Sequence, residues 1–179
     1  MAASELLEWF QSQDGRLHPD VTIAEDPENG LHFRARMDVP PGDICTCPTN
    51  LSISILNVLK SNSLASKLVN HRDKNITIQT ISYVFLAEQR LHASRSFWSP
   101  YIESLPKEDT LMLPIYYNDD DMKWLEGTNL SRAVGERLQQ WREDWHKACD
   151  VLERQGIHDA KITWYARSNP MLQYANLIT

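Results

Sequence analysis

In residues 4–13, SELLEWFQSQ, the apolar positions Leu6, Leu7 and Phe10 share one helical face, predicting a short amphipathic helix stopped by Asp14-Gly15. The period then falls to two. Leu31, Phe33, Ala35 and Met37 alternate with His32, Arg34, Arg36 and Asp38, the mark of a half-buried strand. Pro41 and Gly42 suit the central positions of a type II turn. Residues 44–47 predict a second strand ended by Pro48, and Leu51, Ile53 and Ile55 alternate with Ser52 and Ser54 as a short third. The first 55 residues thus predict one helix and a small antiparallel β unit.

From residue 56 the strand signal gives way to helical spacing. Ile78, Ile81, Val84, Phe85 and Leu91 suit a helix running to about His92. Trp98, Tyr101, Ile102 and Leu105 form another apolar face, halted by Pro106. Asn118 and Asp119–Asp121 read as a cap and a first turn that complements the helix dipole, ahead of Met122, Trp124 and Leu125 and a stop at Gly127. The clearest helix carries Val134, Leu138, Trp141, Trp145, Ala148 and Leu152 on one face, with charged residues opposite and Gly156 as its end. The fold class expected is α+β and mostly helical: a small antiparallel β unit followed by a helical array.

Composition narrows the function classes. Eighteen Lys and Arg against 24 Asp and Glu give a net charge of −6, the wrong sign for a nucleic-acid binder. A hydrophobic fraction of 42% supports a packed core rather than disorder. No segment reaches the roughly 18 apolar residues of a membrane span, and the N-terminus lacks the basic start of a signal peptide, so no membrane partner is expected and the location is cytoplasmic or nuclear. Three cysteines, Cys45, Cys47 and Cys149, are an odd number suited to a reducing compartment. Without secretion, the sequons at Asn50, Asn75 and Asn129 read as chance.

Candidate chemistry is sparse. Phosphate-loop, nucleophile-elbow, zincin and C-x-x-C patterns do not occur, and no metal ligand set is assigned. Cys45 and Cys47 read as core or strand-face thiols, Asp119–Asp121 as a helix start, and Trp141 and Trp145 as core. His146 has no visible partner for base catalysis, and Arg34 and Arg36 read as a solvated strand face. Glu28-Asn29-Gly30-Leu31 sits just before a strand. Asn-Gly there favours positive φ and open backbone, in a plain hairpin turn or beneath a ligand.

Three stretches carry a resemblance. They are LLEWFQSQDG with ENGLHFRARMDVPPGDICTCPTNLSIS, the segment ISYVFLAEQRLHASRSFWSPYIESLPKEDTLMLPIYYNDDDMKWLEGTNL, and the helix over 135–152 followed by ITWYARSN. Together, over residues 4 to about 169, they resemble the split SET-domain lysine methyltransferases, the group of plant Rubisco large-subunit and fungal ribosomal lysine methyltransferases. The most specific element is W-x-x-Y, LP and L-x-G-T at this spacing.

The resemblance implies an N-terminal helix with the first SET strands over 1–55, a helical insert over 56–160, and the start of the second SET half over 161–179. It implies methyl transfer from S-adenosylmethionine to a lysine of a protein substrate, a ribosomal protein being one option. The cofactor-binding residues it assigns are Glu28, Asn29, Gly30 and Leu31, with Asn29 at the family's acid and His32 at its second glycine. Tyr116 and Tyr117 pack in the insert or line the substrate side. Residues 170–179 depart from the family's asparagine-histidine motif, and Tyr174 stands outside the context of a catalytic tyrosine. No catalytic residue is therefore assigned, and the chain is expected to lack the catalytic half and to be inactive alone. The alternative is a non-enzymatic interaction or regulatory module built on the helical insert, with self-association through an unfinished SET surface.

Overall fold

The computed structural model describes residues 2–27, 30–70, 76–106, 111 and 113–158. The fold is α+β and mostly helical, with two small antiparallel two-stranded sheets among the described residues. The chain divides into two compact units, Met1–Ile53 with Gln89–Leu105, and Ser54–Glu88 with Pro106–Thr179.

In the first unit, helix α1 (Ala2–Ser12) ends where Gly15 N–H reaches back to the Phe10 carbonyl at 2.9 Å, with Asp14 at φ 64°. A Cβ at Gly15 would lie 2.6 Å from the Phe10 ring, so glycine is required there by close approach, while the left-handed φ falls on Asp14. Strand β1 (Arg16–Leu17) pairs with β4 (Cys45–Thr46), Leu17 opposite Cys45, and the His18 amide continues the ladder to the Ile44 carbonyl at 2.8 Å. Between them, β2 (Val21–Asp26) and β3 (Gly30–Ala35) form a hairpin in continuous register from Val21↔Ala35 to Asp26↔Gly30.

Helix α1 packs against β2 and against α5 (Ser99–Ser104), which follows a 3₁₀ turn at Ala93–Arg95. Trp9 meets Phe97 edge to face at 5.7 Å, and Phe97 meets Trp98 in the same way at 5.1 Å. Val21, Leu51, Trp98 and Ile102 are buried.

Two strand expectations are corrected here. Residues Leu51, Ile53 and Ile55 do not form a strand. The Leu51 amide closes a turn onto the Pro48 carbonyl at 3.0 Å, and its own carbonyl accepts the Trp98 indole N–H at 2.9 Å. Ser54 then starts a helix, its carbonyl accepting from Val58 N–H at 2.9 Å. With the backbone groups committed to a turn, a buried indole and a helix, no ladder forms. In β3 the alternation is present, but Phe33 is 56% exposed and Met37 is also exposed. Helix α1 packs on β2, so Val21 is buried while Phe33 on β3 faces outward.

The second unit is helical. It contains α2 (Ile55–Lys60), α3 (Leu64–Asn70), the greater part of α4 (Ile78–Leu91), a 3₁₀ turn at Pro114–Tyr116, α6 (Asp119–Lys123) and α7 (Asn129–Arg154). Phe85, Val58, Leu68, Val84 and Val151 are almost fully buried, and α7 supplies Val134, Trp141, Trp145, Ala148 and Leu152 to the core. The two tryptophans are core residues, as their spacing predicts. Asn118 caps α6 by accepting from the amides of Asp120 and Asp121, both at 2.9 Å. Helix α3 is begun from a distance: its Leu64 N–H donates to the Glu88 carboxylate on α4 at 2.9 Å. The expected region over 161–179 lies outside the described residues.

Candidate functional site

The turn assigned to cofactor binding falls at the end of the β2–β3 hairpin. Glu28 and Asn29 lie outside the described residues. Gly30 opens β3 opposite Asp26 with φ +60°, the left-handed region that Asn-Gly favours, and a Cβ built on it would meet nothing within 4 Å. Leu31, next along, is partly buried and pairs with Glu25.

At the position after Leu31 the imidazole of His32 folds back over the strand. Its Nδ1 lies 3.0 Å from the Gly30 carbonyl oxygen, and its Nε2 lies 3.3 Å from the Arg34 guanidinium and 3.5 Å from the Asp26 carboxylate. Arg34 itself donates to Asp26 Oδ2 at 3.2 Å. The rung register explains the cluster, because Asp26, Gly30, His32 and Arg34 share one face of the ladder. Read from the sequence, Arg34 is a solvated strand residue. The hairpin pairs it with an acid eight positions upstream, a partner that becomes visible only once Val21–Asp26 is recognised as a strand.

Other sequence-level candidates are placed apart from this turn. Cys45 and Cys47 are exposed, on and just after β4. Partial desolvation, with a smaller contribution from Cys47, pushes the Cys45 thiol up even at this exposed position, which favours the protonated form. In the second unit Tyr116 closes the 3₁₀ turn with Tyr117 following, both partly buried. The exposed His146 has its Nδ1 2.6 Å from the Arg142 carbonyl on its own helix. Asp119–Asp121 form the first turn of α6, and Lys123 pairs with Asp120 at 2.6 Å. Among the described residues, no group of three or more His, Cys, Asp or Glu side chains could hold a metal, and no helix is long and apolar enough to cross a membrane.

No protein-family model matches the chain. Individual proteins do. Ribosomal lysine N-methyltransferase set10 of Schizosaccharomyces pombe is 28% identical over 142 residues, covering 76% of this chain and 25% of that protein. Actin-histidine N-methyltransferase of Xenopus tropicalis is 27% identical over 128 residues, covering 69% of this chain and 21% of its own length. The Homo sapiens actin-histidine N-methyltransferase is 26% identical over 135 residues, covering 73% and 21%. The chain is therefore similar to protein methyltransferases, and it spans about a quarter of the length of the curated relatives it matches.

Proposed function

We propose that this chain is part of a SET-domain protein-lysine N-methyltransferase that uses S-adenosylmethionine. The observation that carries the reading is the similarity over 142 residues to a ribosomal lysine methyltransferase. Residue motifs across both compact units agree with it. S-adenosylmethionine supplies, when bound, a methyl group activated by the sulfonium. Gly30 and Leu31, with Glu28 and Asn29, would hold it, and the open space where a Gly30 Cβ would stand fits a ligand approaching the backbone. A lysine ε-amine ordinarily titrates near pH 10.4, so the complete site must receive or create the neutral amine in line with the methyl group. A histidine acceptor, as in the actin-directed relatives, is already largely neutral at pH 7 and makes a smaller demand.

Methyl transfer is proposed for the whole protein, of which this chain supplies the cofactor turn and the helical insert. The 179-residue chain alone is expected to transfer no methyl group. Labelled S-adenosylmethionine with lysine- and histidine-containing protein substrates tests the acceptor on a chain extended to the length of its relatives. Transfer to lysine supports the reading, whereas exclusive transfer to histidine or none at all overturns it. Calorimetry on the 179 residues tests where the pocket lies, since micromolar binding of S-adenosylmethionine would show that the pocket needs nothing further.

One observation favours a second reading, an interaction module. In the helical unit Trp124 is 87% exposed, and Leu56, Leu59, Ile78 and Leu130 are exposed as well. A mass that rises with concentration in size-exclusion chromatography with light scattering supports this reading, and a monomer throughout counts against it.

A further inference from the structure

We propose that His32 is a proton-sensitive positioning residue. In its neutral form the imidazole latches the Gly30 carbonyl and holds Arg34 beside the turn end of the β2–β3 hairpin, and in its charged form it releases Arg34. Its link to the methyl donor rests on the function proposed above; the latch itself does not.

The donor and acceptor requirements fix the neutral state. A carbonyl oxygen can only accept, so at 3.0 Å from Gly30 the Nδ1 must carry the hydrogen. A guanidinium can only donate, so at 3.3 Å from Arg34 the Nε2 must present its lone pair. Both demands are met by one species, the neutral Nδ1–H tautomer. An unconstrained imidazole in water favours the other tautomer, so the cluster selects against the default.

Protonation reverses the second contact. Nε2 then carries a hydrogen and faces a like charge at the same distance, while Asp26 Oδ2, 3.5 Å away, becomes its acceptor. That carboxylate oxygen already accepts from Arg34 at 3.2 Å, so imidazolium and guanidinium meet there as like charges. Among the described residues, the other charged groups nearby stand off from this cluster. Ala24 stands directly opposite His32, Glu25 lies on the other face of the ladder, and Arg36 is exposed beyond the strand end. Helix α1, which packs against β2, carries Glu5 and Glu8, both exposed. Through Nδ1 the exchange reaches Gly30, whose φ of +60° sets the direction of the turn.

Long-range proton–nitrogen NMR correlations on the isotope-labelled 179-residue chain read the tautomer directly, without a methyl donor. A failed latch and a failed methyltransferase reading are therefore distinguishable. The Nδ1–H tautomer is expected while the ring is neutral, with the Gly30 carbonyl resonance moving as the ring charges. Arg34→Met, at a half-exposed side chain, is expected to shift the ring toward Nε2–H bonded to Asp26, and His32→Ala to abolish the pH dependence at Gly30. An Nε2–H majority in the unsubstituted chain overturns the proposal. So does a Gly30 carbonyl resonance that keeps its pH dependence in a folded His32→Ala variant.

Discussion

At Gly30 the need is for backbone conformation alone. Nothing stands within 4 Å of where a Cβ would be, so Gly30→Ala meets no clash and its cost is that of holding φ +60° with a side chain, about 1–2 kcal/mol. Urea unfolding should show that loss. Gly15 is the opposite case, with the Phe10 ring 2.6 Å from the missing Cβ. Tyr83 on α4 gives a pH prediction. Burial is the leading cause that pushes its phenol above the usual 10.0, with Asp144 adding and Gln79 and Arg137 opposing. Above that unfolded value the unfolded chain gives up the proton while the folded one keeps it, so the folded state binds more protons and stability falls as pH rises. Unfolding midpoints measured from pH 9 upward should drop more steeply in the wild type than in Tyr83→Phe.

Two ways of holding a helix can be compared in the second unit. Asn118 caps α6 at an exposed end, and Asn118→Ala is expected to cost about 1 kcal/mol. Phe85 in α4 is fully buried, and Phe85→Ala is expected to cost about 3–5 kcal/mol through lost burial and the cavity left behind. Thermal melts of the two variants should rank in that order, because packing outweighs capping where a helix is buried. The same balance decided which elements were legible. Helices α1, α4 and α7 carry an apolar stripe long enough to read from spacing, and the six-residue α5 is marked by Trp98, Tyr101, Ile102 and Leu105 ahead of Pro106, whereas α2 and α3 have six and seven residues and show little more than one turn of pattern. Strand β2, VTIAED, is not anticipated from local pattern, and neither is the Asp26 partner of Arg34 that it carries.

Across the molecule, the net charge of −6 argues for a protein partner over a nucleic acid. If so, association with duplex DNA should stay negligible even at low salt, which fluorescence anisotropy would report; tight, salt-dependent binding would contradict it. Of the four residues assigned to the cofactor turn, the structure describes Gly30 and Leu31, at a hairpin end with open space beside the glycine. The glycine could be anticipated from Asn29-Gly30 because a positive φ is a local demand that one residue type meets cheaply.

The sequence by itself determined the mostly helical α+β class, the buried stripe of Val134, Trp141, Trp145, Ala148 and Leu152, the cap at Asn118 and the turn at Gly30. Each follows from periodicity or from conformational preference within a few residues. Only the tertiary structure decided that Leu51 turns inward beneath the Trp98 indole, that Glu88 begins α3 from another helix, and that Asp26, His32 and Arg34 meet. Those contacts join residues 47, 24 and 8 positions apart along the chain, and their hydrogen-bond partners are set by packing and register, which local pattern does not encode.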